Sequence, residues 1–205
     1  MQRKVFVSFR FNDGHLYKEK LCEVLSKSNN LIDCSEDKDR SKLSEPVIRD
    51  YLYSKLRQTS VTIILLTPDA IKHKKNIFGK IDDWMYDEIR YSLEDRQNNR
   101  TNGLVAVYTP EVEKLLITHD YENNAISVAE VENLFRKNMM NIKNEYKHNQ
   151  RYGMYDTDYD SYCSLISFNS FINNPERYIN IAEEKRDRIN EYEIKRRLDN
   201  NIYYF

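Results

Sequence analysis

Trp84 and Glu88 stand one helical turn apart in Trp84-Met85-Tyr86-Asp87-Glu88, so on a helix they lie on the same side. The same stretch carries a core row, Ile81, Met85, Ile89 and Leu93. Glu88 is rotated just off that row, which sets its carboxylate at the boundary of core and cleft. A glutamate four residues after a tryptophan arises by chance about one time in ten in so acidic a chain, so the weight rests on where the pair falls in the order of elements. Ser8, Phe9 and Arg10 close the first apolar run. In open α/β sheets that end of a strand is where ligands bind. There Phe9 can stack on a flat ring and Arg10 can meet a phosphate; the plainer readings are a core phenylalanine and a solvated arginine. Asp13 is the cap of a helix starting near Gly14 before it is a ligand contact. Thr67 walls the end of a later strand, and Trp84 is packing before it is a substrate contact. For Glu88 the plainer reading is a surface carboxylate paired with Arg90 or Arg96.

Other chemistries are excluded by what the chain lacks. Four glycines, at 14, 79, 103 and 153, cannot form a GxGxxG fingerprint or a GxxxxGK[ST] phosphate loop. Four scattered histidines and three cysteines, Cys22, Cys34 and Cys163, show no HExxH or CxxC spacing, so no metal site is expected and the cysteines read as free thiols. Asp156, Asp158 and Asp160 have the rhythm of a calcium loop, but Ser161 and Ser167 stand where it needs Gly and Glu. Charge is balanced, 32 basic against 33 acidic residues, which argues against nucleic acid as a partner. No run of 18 apolar residues occurs and the start has no signal-like apolar segment. The expectation is a cytoplasmic protein that does not enter a membrane.

The elements that must position these residues follow from periodicity. With 205 residues and 40% apolar content, one domain with a real core is expected, residues 1–205. Arg3 to Phe9 reads as a buried strand, with Tyr17, Leu21, Val24 and Leu25 forming the stripe of the helix after it. Leu31 to Cys34 is a short strand. Ser44-Glu45-Pro46 opens a second helix whose stripe includes Val47, Tyr51, Leu52 and Leu56. Ser60 to Leu66 is apolar on both faces, the mark of a central parallel strand, and Thr67-Pro68 ends it. A helix over about 81–96 and a strand at Gly103 to Tyr108 continue the alternation. The fold expected is α/β, an open, mostly parallel, flavodoxin-like sheet flanked by helices. Residues 111–160 form a helical insertion with helices near 110–117 and 126–147. Ser164 to Phe168 is the fifth strand, and 175–205 a charged C-terminal helix, to about Leu198, and tail, whose weak apolar row places it on the surface or against a partner. The Lys72 to Lys75 run reads as a solvated loop, and Cys163 as a buried small hydrophobe.

Phe6-Val7-Ser8-Phe9 followed by Asp13, then Thr59 to Thr67, then Trp84 to Ile89 resemble the TIR-domain series: a first strand ending in a Ser-aromatic pair, an apolar third strand and a WxxxE helix. Over about the first 110 residues the chain resembles the TIR-like ThsB proteins of bacterial Thoeris anti-phage defence. The basic insert at 71–76 and the Tyr/Asp-rich segment 151–162 depart from that pattern. The resemblance implies an enzyme that cleaves NAD+ as substrate, with no cofactor, and releases a cyclic or conjugated ADP-ribose signal. That signal would activate a separate ThsA-type effector after a phage-derived trigger, with self-association of the TIR chains. It makes Glu88 the catalytic residue and Ser8, Phe9, Arg10, Asp13, Thr67 and Trp84 the NAD+-binding set.

The chemistry of that bond suits a single acid. Breaking the nicotinamide–ribose bond builds positive charge on the ribosyl carbon, as in glycoside hydrolysis. The pyridinium leaves as neutral nicotinamide without needing a proton, so one carboxylate suffices to stabilise the cation. Two other classes fit the same elements: a non-enzymatic TIR interaction module, and a nucleoside deoxyribosyltransferase-like N-glycosidase.

Overall fold

The computed structural model describes residues 4–27, 31–32, 45–95, 100–151 and 153–198. Its sheet is built from β1 (Lys4–Ser8), β2 (Leu31–Ile32), β3 (Val61–Leu66), β4 (Gly103–Tyr108) and a late strand, Cys163–Ser167. Two further strands, β5 (Ile117–His119) and β6 (Ala125–Val128), intervene in the chain, so the late strand is β7. The order across the sheet is β2-β1-β3-β4-β7 with every pairing parallel. This is the doubly wound, flavodoxin-like arrangement expected from the alternation of strands and helices.

Period-two alternation splits the core between the two faces of the sheet. Val5, Val7, Val61, Ile63, Leu65, Val105 and Val107 pack on one face. Covering them are α1 (Phe11–Lys27), α6 (Phe168–Asn173) and α7 (Pro175–Asp187). On the other face, Ile64, Leu66, Leu104 and Ala106 meet α3 (Trp84–Leu93), α4 (Pro110–Leu116) and α5 (Leu134–Lys137). Phe6 on that face joins Leu52 and Leu56 of α2 (Glu45–Leu56) and Tyr91 of α3. All six residues of β3 are buried, which explains why its sequence is apolar at both parities.

Several expectations are corrected. Residues 126–147 do not form a helix. Ala125–Val128 pairs antiparallel with Ile117–His119, and only the single turn of α5 and a 3-10 turn at Asn144–Tyr146 follow. Asn123, with φ of 63°, supplies the left-handed turn that a hairpin needs and a helix forbids. The C-terminal helix stops at Asp187 and is not a surface helix: Ile179, Ile181, Ala182 and Lys185 are buried. Its row looks weak because it includes an alanine and a lysine rather than larger apolar residues. It can lie this close because Gly103 has no side chain, and a Cβ there would fall 2.3 Å from the Ala182 carbonyl oxygen. Among the cysteines, Cys163 is a buried free thiol pushed by burial up to about 12, whereas Cys22 is disulfide-bonded rather than free. Cys34, Ser44 and Arg96 lie outside the described residues. No helix among the described residues is long and apolar enough to cross a membrane.

The Tyr/Asp-rich segment has a structural task. Asp160 is fully buried, and its carboxylate accepts backbone amides from His148, Asn149 and Asp156. Burial pushes this carboxyl upward, but those amides outweigh it and hold the pKa below the usual carboxylate range. The aspartate rhythm therefore closes a loop around one anion.

Candidate functional site at the carboxyl edge of the sheet

Ser8 is the last residue of β1 and points to the α3 side, because Phe6 and Ser8 share a parity opposite to Val5 and Val7. Its hydroxyl donates to Glu88 Oε2 at 2.5 Å. Ser8 is fully buried and Glu88 is 9% exposed, so the carboxylate sits at the edge of the core rather than in bulk water. The surface pairing with Arg90 does not form: Arg90 pairs with Glu94 at 2.5 Å and lies 3.5 Å from Asp87. One turn on, Ser92 donates to the Glu88 carbonyl at 2.8 Å and shares a 2.7 Å hydrogen bond with Thr62 of β3. Asn102 extends this seam to Thr62 and Thr59. A line of buried hydroxyls thus fixes the rotation of α3 against β1 and β3, and with it the direction of Glu88.

Arg10 has moved on two residues from Ser8 and its guanidinium pairs with Asp83. Asp83 is the N-cap of α3, its Oδ1 accepting from the Met85 amide at 3.0 Å. Its Oδ2 also accepts from the Lys74 amide at 2.8 Å and lies 3.2 Å from His73 Nδ1. His73 Nε2 in turn accepts the Leu134 amide at 3.1 Å, so Nδ1 is the nitrogen that carries the hydrogen toward Asp83. Burial pushes the Asp83 carboxyl upward, but the hydrogen bonds from His73 and Arg10, the arginine charge and the Lys74 amide win and hold it well below the usual carboxylate range. The 71–76 insert is therefore not merely a solvated loop. His73 is buried and ties the insert to the start of α3, while Lys75 and Ile81 bridge the base of a turn whose tip, Ile77 and Phe78, is 92% and 79% exposed.

The remaining expected site residues lie elsewhere. Trp84, at the first position of α3, packs against the Phe6, Leu52, Leu56 and Tyr91 cluster. Phe9 points to the α1 side, where its ring packs on Gly14 and Lys18 Nζ lies 5.7 Å from its centroid. Asp13 sits in the first turn of α1, which starts at Phe11 rather than near Gly14. Its carboxylate accepts from Thr67 Oγ1 at 2.7 Å and from the Asp69 amide at 2.8 Å, and Thr67 is fully buried. The expected set thus divides into two groups: Ser8, Glu88, Arg10 and Trp84 on the α3 side, and Phe9, Asp13 and Thr67 on the α1 side.

A cavity of about 310 Å³ borders the first group, walled by Asn76, Lys80, Asp83, Trp84 and Asp87 among others, and Glu88 is not among its walls. Asp83 and His73 were missed from sequence. Asp83 had a signal, an aspartate immediately before a helix; His73 had none, since its partners are 10 and 61 residues away. Matched against models of known protein families, the chain fits none.

Proposed function

We propose that the chain cleaves the nicotinamide–ribose bond of NAD+, with Glu88 as the catalytic carboxylate. The supporting observation is the hydrogen bond between Ser8 and Glu88 at the carboxyl tip of β1. In a sheet of this order, the crevice between the tips of β1 and β3 is where the chain reverses direction, and ligands of such folds bind there. A carboxylate withdrawn from water and held by a hydroxyl is suited to stabilise a developing ribosyl cation, because low local dielectric strengthens the attraction. The C1′–N bond breaks with its electron pair going to the nicotinamide nitrogen. A second nucleophile, in place of water, then forms the new bond to C1′ and loses its proton. Ser8 acts as a positioning residue for Glu88.

In this reading the product is a cyclic or conjugated ADP-ribose, read by a ThsA-type effector in the cytoplasm after a phage-derived trigger, and TIR-type self-association completes the site. The test is nicotinamide release from NAD+ by purified protein, with and without phage lysate, followed by mass spectrometry. Loss of one electrostatic stabiliser costs about 10² to 10³ in kcat, so Glu88→Gln should lose at least that much release while keeping its circular dichroism spectrum. Turnover by Glu88→Gln equal to wild type removes the assignment.

A further inference from the structure

At the opposite, amino edge of the sheet, a cavity of about 280 Å³ brings together Arg100, Arg186 and Arg196, with Asp95 as an acidic wall and Ile189 and Ile194 as apolar ones. Two of the arginines are anchored in the same way. Arg186 donates from Nε to the Thr101 carbonyl at 2.8 Å, and Arg196 from Nε to the Leu93 carbonyl at 2.9 Å. Among the described residues no carboxylate pairs with either guanidinium, and no hydrogen bond uses their Nη atoms. A guanidinium fixed through Nε keeps its two Nη donors as a fork, the geometry that fits two oxygens of one phosphate. Arg100 reaches Asp187 at 3.0 Å and adds a third cation to the wall.

The charges are out of balance. Burial, and next the like charge of Arg100, pull the Arg186 pKa below its ordinary value despite Asp187 and Glu183 nearby. Cations gathered in a partly closed cavity raise the local concentration of anions. Asp95 leaves an acceptor for a hydroxyl or amine on the same ligand, and the isoleucines leave a surface for a ring.

We propose that this cavity is a second binding site, for a phosphorylated small molecule of about mononucleotide size. Its volume of about 280 Å³ falls just below the roughly 300–1,000 Å³ typical of ligand pockets, too small for a dinucleotide. Thr101 precedes β4 and Ser8 ends β1, so the two sites occupy opposite edges of one sheet. The second site does not depend on what Glu88 does.

The test is calorimetric titration of the full chain with inorganic phosphate, adenosine 5′-monophosphate and adenosine. Saturable binding of the monophosphate is expected, at least about tenfold tighter than phosphate, with adenosine far weaker. Arg186→Gln and Arg196→Gln should each weaken the monophosphate at least about tenfold, the loss of one charge-assisted fork, while Glu88→Gln leaves it unchanged. Arg196 is exposed, so its variant keeps the fold if Arg186→Gln does not. No saturation by about 1 mM monophosphate, adenosine binding as tightly, unaltered affinity in Arg196→Gln, or loss in Glu88→Gln would each overturn the proposal.

Discussion

Replacing Asp83 by alanine takes away an acceptor on which four donors converge: the Arg10 guanidinium, His73 Nδ1, and the amides of Lys74 and Met85. Loss of the N-cap bond alone is worth about 1 kcal/mol. The larger cost is the arginine, whose side chain is only 11% exposed and is left without its counter-charge; breaking such a pair from one side costs about 3–5 kcal/mol. Together the destabilisation should reach about 4–6 kcal/mol, a large share of a typical folding free energy of roughly 5–15 kcal/mol. Urea denaturation followed by circular dichroism reads it directly, as a lower midpoint with an unchanged slope. A second variant separates the two contributions. With Arg10→Met added to Asp83→Ala, the stranded charge is gone and the cost should fall back to about 1–3 kcal/mol. The pH dependence carries the same sign: the folded carboxyl is held below its unfolded pKa, so its stabilisation is complete above about pH 4 and is lost as pH falls below that. A loss under about 1 kcal/mol in Asp83→Ala, or no recovery in the double variant, would refute the view that this ion pair anchors the insert and the start of α3.

Other perturbations read other parts of the structure. Gly103→Ala drives a Cβ to 2.3 Å from the Ala182 carbonyl and should cost about 1–3 kcal/mol or more in thermal or urea unfolding. Lys185 is fully buried, donating to the Ser161 carbonyl at 2.7 Å and Ser164 Oγ at 2.6 Å, and burial pulls its pKa down to about 8. Between that value and its unfolded pKa the unfolded chain binds the extra proton, so Lys185 makes stability rise with pH, by at most about 1.4 kcal/mol per unit. Subtracting the pH profile of Lys185→Met from that of wild type should show that slope above about pH 8. Ser8→Ala should lower kcat for nicotinamide release by about tenfold with KM little changed; a changed KM with normal kcat would make Ser8 a binding contact instead.

The elements were legible where local periodicity speaks. Val61–Leu66 is apolar at every position but Thr62 and is buried at every position, and the Met85, Ile89, Leu93 row faces the core. Reading fails where the signal is not local. Residues 126–147 have helix-forming composition, but the left-handed Asn123 and the pairing of Ala125–Val128 with Ile117–His119 decide otherwise. α7 packs into the core despite its charged sequence because its packing depends on a glycine far earlier in the chain.

For the candidate site, the sequence by itself determined that a lone glutamate would follow the central strand on an amphipathic helix and that Ser8 would end the first strand. Only the tertiary structure decided that these two residues, 80 positions apart, would share a hydrogen bond. It also decided that Phe9, Asp13 and Thr67 would lie on the α1 side, and that His73, Asp83 and Arg10 would form one buried cluster. The physical reason is that hydropathy patterns fix which face of each element is buried, through interactions within a few residues. Which faces meet is set by the order in which parallel strands pair, and that order depends on contacts between distant parts of the chain.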